Sequence, residues 1–186
     1  MDDFAGLCTA TRAQLLQKWS FVISHIADRT RAIGAICESS HYLAERLGAA
    51  VRDPSAMPII ELGAGYGSVT SLLPTSAISI EREPERFDFL RTQFPERTIL
   101  DCNATEYLSS LTRPSTVVSC IPSVNNPEFR RLRATIAEQH SRGTVAEVVT
   151  YTYFPHNPFA GIFRNEDCIG LEVRNLPPAF VWRYGC

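Results

Sequence analysis

The 186-residue chain has six cysteines and no close pair among them: Cys8, Cys37, Cys102, Cys120, Cys168 and Cys186 are scattered, and none forms a C-x-x-C. That spacing signals neither a zinc site nor a disulfide framework, so no metal is expected. Scattered thiols are expected to be reduced, which points to a cytoplasmic protein. Long apolar runs are also missing, so no segment is expected to span a bilayer. The first residues lack a basic stretch followed by an apolar one and do not read as a secretory signal. Any membrane contact is therefore expected to be peripheral, on the inner face. Charge of one sign is lacking too. Eighteen Lys and Arg stand against twenty Asp and Glu, for a formal net charge of −2. A nucleic-acid partner is not expected from that balance. The run Arg130, Arg131, Arg133 reads as a solvated helix face. There is no internal repeat and no low-complexity segment. With 45% hydrophobic residues, one domain over 1–186, with a helical segment over 1–52, can bury a core without staples.

What is present centres on Ile59-Ile60-Glu61-Leu62-Gly63-Ala64-Gly65-Tyr66-Gly67. An apolar run meets an acidic residue, and three glycines follow at every second position. Glycines there let the backbone turn sharply and approach a ligand where a Cβ would collide. A dinucleotide fingerprint reads G-x-G-x-x-G, and the third glycine here comes one position early. Glu61 would repel a pyrophosphate but suits a cationic ligand, and S-adenosylmethionine (SAM) carries both an ammonium and a sulfonium. The stretch resembles motif I of the class I SAM-dependent methyltransferases. On that reading Glu61, Gly63, Ala64, Gly65 and Gly67 bind the cofactor.

The rest of the chain alternates in type. Residues 4–27 repeat Leu15, Leu16, Trp19, Val22, Ile23 and Ile26 at helical spacing. That stripe either packs on a sheet, lies on a membrane surface or caps a substrate pocket. A second helix is expected over 41–51, capped by Ser39 or Ser40. After the strand at Ile59 and the glycine turn, a helix is expected to begin at Val69–Leu73, where Pro74 must end or interrupt it. Further strands are expected over 77–80, 98–100, 116–122 and 144–152, with helices over 84–94, 106–111 and 128–141. Phe87, Leu90 and Phe94 are expected to face inward. Two more strand-like runs, 171–176 and 180–184, flank Pro177-Pro178. The alternation predicts a Rossmann-like α/β fold: a mostly parallel twisted sheet, helices on both faces and an antiparallel C-terminal strand. Glu81 closes the second strand about twenty residues after the glycine turn, where an acidic side chain can accept ribose hydroxyls. Arg82 is grouped with it.

Taken in order, Ile33-Gly34-Ala35-Ile36, Glu61 to Thr70, Glu81 to Pro95, Val118 to Pro122, Thr152-Tyr153 and Asn175-Leu176-Pro177-Pro178-Ala179 with Val181-Trp182 resemble the bacterial phospholipid N-methyltransferases. These methylate phosphatidylethanolamine and are related to the ribosomal RNA adenine dimethyltransferases. The resemblance runs from about residue 30 to residue 184. The chain departs from the family's pattern at Glu38, at Tyr66 and at Asn103. What the resemblance implies is a SAM cofactor and an amine acceptor, either a lipid head group or a soluble small molecule. In the second case the transferred group is either methyl or 3-amino-3-carboxypropyl. Asn103 and Ala104 would lie at the adenine and Ser119 beside the cofactor. Ile121, Pro122, Asn125 and Tyr151 would shape the acceptor pocket. Tyr153 would orient the amine, with His156 as the second catalytic candidate. Oligomeric state is left open.

Overall fold

The structure is a computed structural model that describes residues 39–123, 126–153 and 155–185. The stripe over 4–27, the segment 33–36 and Asn125 lie outside the described residues. Among the described residues no helix is long and apolar enough to cross a membrane.

The run Ile59–Leu62 does not alternate in polarity, and all four residues are buried as strand β1. A strand buried on both sides belongs inside a parallel sheet with both faces covered. Six further strands complete that sheet: β2 Ile78–Ile80, β3 Thr98–Leu100, β4 Ser115–Ser119, β5 Val145–Thr152, β6 Asn165–Glu172 and β7 Ala179–Gly185. Their order is β3-β2-β1-β4-β5-β7-β6. The pairs among β1 to β5 are parallel. Strand β7 runs antiparallel to both β5 and β6. The chain order reverses at β1, which pairs with β2 on one side and β4 on the other. In open α/β sheets ligands bind outside the carboxyl ends of the strands at such a switch point.

Helices α1 His41–Ala50, α2 Pro84–Gln93, α3 Ala104–Ser109 and α4 Phe129–Ser141 connect or flank the strands. Successive strand residues point to opposite faces, so neighbours in sequence enter different cores. Ile59, Val118, Val149 and Val181 join Leu43, Ala44 and Leu47 of α1 on one face. Ile60, Val117, Val148 and Tyr184 join Leu108 of α3 and Leu132 and Ile136 of α4 on the other. The expected fold class is thus the observed one, with two antiparallel C-terminal strands.

Three expectations need correction. After the glycine turn the chain makes only a 3-10 turn at Thr70–Leu72. The proline at 74 lacks the N–H that would continue a helix, and the guanidinium of Arg97 caps the carbonyls of Leu73 and Pro74 at 3.0 and 3.2 Å. The sixth strand begins at Asn165 and ends at Glu172, not over 171–176. Its polar, exposed residues gave no apolar signal, because it is the sheet's edge. Of the three side chains expected inward from α2 and its end, Leu90 is buried but Phe87 and Phe94 are only half-buried.

The start of α1 is pinned to the turn between β6 and β7. Ser40 accepts from the Leu43 N–H at 3.2 Å, and its own N–H donates to Asn175 Oδ1 at 2.8 Å. Lower on the same helix, Arg46 pairs at 3.3 Å with the buried Glu172, whose other oxygen takes Arg174 at 3.0 Å. Hydrogen bonds from the Arg174 side chain and backbone are the leading causes that hold the Glu172 carboxyl down at about 2, from an ordinary 4.5. A carboxylate held below its unfolded value stabilises the fold above about 4.5, and that contribution is lost as pH falls toward 2. The urea midpoint should therefore drop between pH 6 and pH 3, and Glu172→Gln should lower it at pH 6 while flattening the acid dependence.

Candidate functional site

The site is built on the turn that follows β1. Gly63, Gly65 and Gly67 all have positive φ, at 74°, 60° and 88°. Gly63 and Ala64 donate to the Ile80 carbonyl at 2.9 and 3.1 Å, which clamps the turn to the end of β2. A Cβ on Gly63 would meet Ile121 Cγ1 at 2.9 Å, and one on Gly67 would collide with Phe94 and Leu90. At Gly65 the space is open, so only its backbone conformation calls for glycine. Tyr66 turns away toward α2, where its ring packs edge-on against Phe89 at 5.3 Å and under the Arg86 guanidinium at 5.7 Å.

Two carboxylates brace this turn. Glu61 is fully buried. Its Oε2 accepts from Ser79 Oγ at 2.6 Å and Thr70 Oγ1 at 2.7 Å, while Oε1 has no partner among the described residues. Burial pushes its carboxyl up, against the lowering effect of those two hydroxyls. Glu81 stands at the end of β2. Its Oε2 accepts the Gly65 N–H at 2.8 Å, and its Oε1 accepts the N–H groups of Arg82 and Glu83 at 3.0 and 2.9 Å. A carboxylate offers roughly four acceptor positions. The three backbone donors leave about one for a ligand.

Between the carboxyl ends of β1, β2, β3 and β4 lies a cleft of about 760 Å³, open mouth included. Gly63 and Glu81 form its floor, and Ile80, Ala104, Ile121 and Leu132 supply apolar walls. Asn103 also lines it while capping α3, its side chain accepting the Thr105 N–H at 2.8 Å. Arg82 and Glu128 sit at its rim, joined by an ion pair of 2.7 Å. Apolar walls and an acid with about one open acceptor position are the two features a nucleoside site needs.

The residues expected from the sequence divide into groups. Gly63, Glu81, Arg82, Asn103, Ala104, Ile121 and Pro122 all line the cleft. Gly65 reaches it indirectly, through its bond to Glu81. Glu61 is buried below the turn and Ser119 is buried in β4, neither on the cleft wall. Ala64 and Gly67 hold the shape of the turn from inside. Tyr151 is buried too; burial first, and then the neighbouring Tyr153, raises its hydroxyl far above the ordinary value. Tyr153 is half-buried, packs on Tyr151 at 5.4 Å between ring centres, and is not among the residues lining the cleft. His156 Nε2 lies 3.4 Å from Ser123 Oγ, on the loop after β4. Sequence reasoning missed Ile80, Arg86, Cys102, Thr105, Cys120, Asn126, Glu128 and Leu132, which also line the cleft. Most lie one to five residues from expected ones, on the loops and first helical turns beyond the same strand ends.

No family model and no curated protein matches the chain. Solved structures do. The 23S rRNA methyltransferase ErmE superposes with a TM-score of 0.56 at 15% identity over 75% of this chain and 65% of its own. The chain thus spans somewhat less than two thirds of ErmE. Magnesium protoporphyrin IX methyltransferase from Synechocystis PCC 6803, solved with bound SAM, gives 0.57 at 12% identity over 77% and 76%. A TehB-like SAM-dependent methyltransferase from Corynebacterium glutamicum gives 0.53 at 16% over 87% and 96%. The fold is therefore the Rossmann-like fold of the class I SAM-dependent methyltransferases.

The turn's geometry separates its glycines by experiment. An alanine forced into the left-handed region costs about 1–2 kcal/mol. Gly65→Ala should lose about that much, whereas Gly67→Ala adds a collision with Phe94 and Leu90 and should lose more, read as urea unfolding free energies.

Proposed function

We propose that the chain is a SAM-dependent N-methyltransferase whose acceptor is a phosphatidylethanolamine-like head-group amine at a membrane surface. The observation that carries the cofactor assignment is one cleft at the sheet's switch point where the glycine turn, Glu81 and Asn103 meet. The acceptor assignment rests on the tail motif Asn175-Leu176-Pro177-Pro178-Ala179. Membrane contact is assigned to the apolar stripe over 4–27.

On this reading Glu81 takes a ribose hydroxyl in its remaining acceptor position. Ile80, Ala104, Ile121 and Leu132 hold the adenine, and Asn103 meets its edge. Glu61 places a carboxyl group beneath the turn, where a cationic ligand is favoured over a pyrophosphate. Bound SAM supplies a methyl group activated by its sulfonium. The chain's remaining task is to align the acceptor nitrogen with that methyl and take up one proton, because an ethanolamine amine is protonated near neutral pH. His156 suits the second role. Burial lowers its pKa below the ordinary 6.5, so the imidazole is neutral at pH 7 and can accept. Tyr153, packed on Tyr151 after β5, orients the amine.

Calorimetry with SAM is the primary check, and Glu81→Ala should weaken binding about 10- to 100-fold, the loss expected for hydrogen bonds to a charged group. Mass analysis after incubation with SAM and phosphatidylethanolamine vesicles should show methylated lipid and S-adenosylhomocysteine. Methylthioadenosine instead would mark aminocarboxypropyl transfer. Because the His156 pKa is lowered, the acid limb of the pH–rate profile should fall below pH 6.5, and His156→Gln should remove that limb and slow turnover. A profile unchanged by the substitution would assign the proton to another group.

A further inference from the structure

Between β5 and β6 the chain runs Pro155-His156-Asn157-Pro158-Phe159, in a stretch that is neither helix nor strand. A proline fixes its own φ and disfavours helical backbone at the residue before it. Pro155 and Pro158 therefore leave His156 and Asn157 little freedom to turn independently. Whatever fixes the Asn157 side chain also governs where the His156 imidazole stands.

Asn157 is tied to two strands and to its own loop. Its Oδ1 accepts the Tyr184 hydroxyl of β7 at 2.8 Å and the Phe159 N–H at 3.1 Å, which fills both lone pairs of that oxygen. Its Nδ2 donates to Glu166 Oε2 of β6 at 2.7 Å, and Glu166 Oε1 accepts the Gly161 N–H at 2.7 Å. Tyr184 is fully buried, and burial raises its hydroxyl far above the ordinary range, so it stays protonated and donates. That sets the amide's orientation, with its nitrogen toward Glu166. From α4, Arg133 donates to the Pro158 and Ala160 carbonyls at 3.2 and 2.7 Å. Phe159 is fully buried against Phe129 and Tyr184, at 5.5 and 5.4 Å between ring centres.

On the other side of the pair, His156 Nε2 lies 3.4 Å from Ser123 Oγ. Ser123 lines a second cavity that meets the cofactor cleft at Asn126. A functional side chain carried on a loop keeps its geometry only through supporting contacts. We infer that Asn157 is a positioning residue: latched to Tyr184 and Glu166, it holds the His156 imidazole against Ser123 at the side of the cofactor site. The inference rests on the role given to His156 above and adds the group that keeps it in place.

The test is NMR titration of the histidine ring protons on the full chain. There are four histidines, and the His156 line is the one that His156→Gln removes. Burial lowers the His156 pKa below 6.5, and Asn157→Ala should bring the midpoint up toward 6.5 as the loosened imidazole gains water. Glu166→Ala opens the same latch from β6 and should act in the same direction, although losing a carboxylate can by itself only lower a histidine pKa. With SAM and phosphatidylethanolamine vesicles, Asn157→Ala should lower kcat about 10- to 100-fold, the cost of a misplaced group, and leave SAM affinity unchanged. Asn157→Asp together with Glu166→Gln exchanges donor and acceptor at the same net charge and should recover most of that loss. Asn157→Asp alone sets two carboxylates against each other and should not. A folded Asn157→Ala whose urea midpoint falls while the His156 titration stays in place would reduce the latch to a structural tie and overturn the inference. Failure of the exchanged pair to recover kcat would overturn it too. If Asn157→Ala does not fold, Glu166→Ala reads the same titration. His156→Gln reads the proton-accepting role separately: turnover indifferent to it would sink that role, while a shifted titration would still support the latch.

Discussion

The glycine turn exists because two carboxylates hold it from opposite sides. Glu81 accepts from Gly65 above, and Glu61 fastens Thr70 and Ser79 below. Neither anchor is cheap. Taking a carboxylate out of water is costly unless hydrogen bonds replace the lost solvent, and Glu61 has one buried oxygen without a partner among the described residues. A buried acid with an open acceptor position, directly under a turn that comes close to a ligand, is the kind of local conflict that functional sites retain. Every other part of the cleft is referred to this turn. Ile80 clamps it, Ile121 closes over Gly63, and Leu90 and Phe94 fill the space that Gly67 leaves.

The sheet explains why the site is where it is. Strand order reverses at β1, so the connections from β1 and β4 leave in opposite directions and open a crevice between them. The short 3-10 turn after the glycines changes one feature of this plan. With Pro74 ending the helix almost at once, little helix dipole stands behind the turn to favour an anion. An uncharged ribose and a cationic tail suit that arrangement better than a pyrophosphate.

Much of the fold was legible in the chain. Strands β1, β3 and β5 are continuous apolar or β-branched runs bounded by turn residues, and α1 carried both its stripe and its serine cap. Strand β6 was not legible, because an edge strand with exposed polar residues has no burial pattern to read. The helix expected to begin at Val69 is only a 3-10 turn, because Pro74 and the Arg97 cap on the Leu73 and Pro74 carbonyls decide the backbone there. Within the site, glycines and acids at strand ends were visible from spacing alone. Residues on α4 and the loop that leads into it, Leu132, Glu128 and Asn126, were not, because they reach the cleft only through tertiary packing.

The sequence by itself determined the alternation of elements, the glycine turn and the placement of Glu81 and Asn103 after their strands. Those are local matters, settled by backbone freedom, periodicity and caps within a few residues. Only the tertiary structure decided that Glu81 spends most of its acceptor capacity on the chain's own N–H groups, and that Glu61 and Ser119 are buried away from the cleft wall. Each of these depends on which groups meet after strands far apart in sequence are paired, and a hydrogen-bond partner or an opposing charge leaves no trace in local pattern.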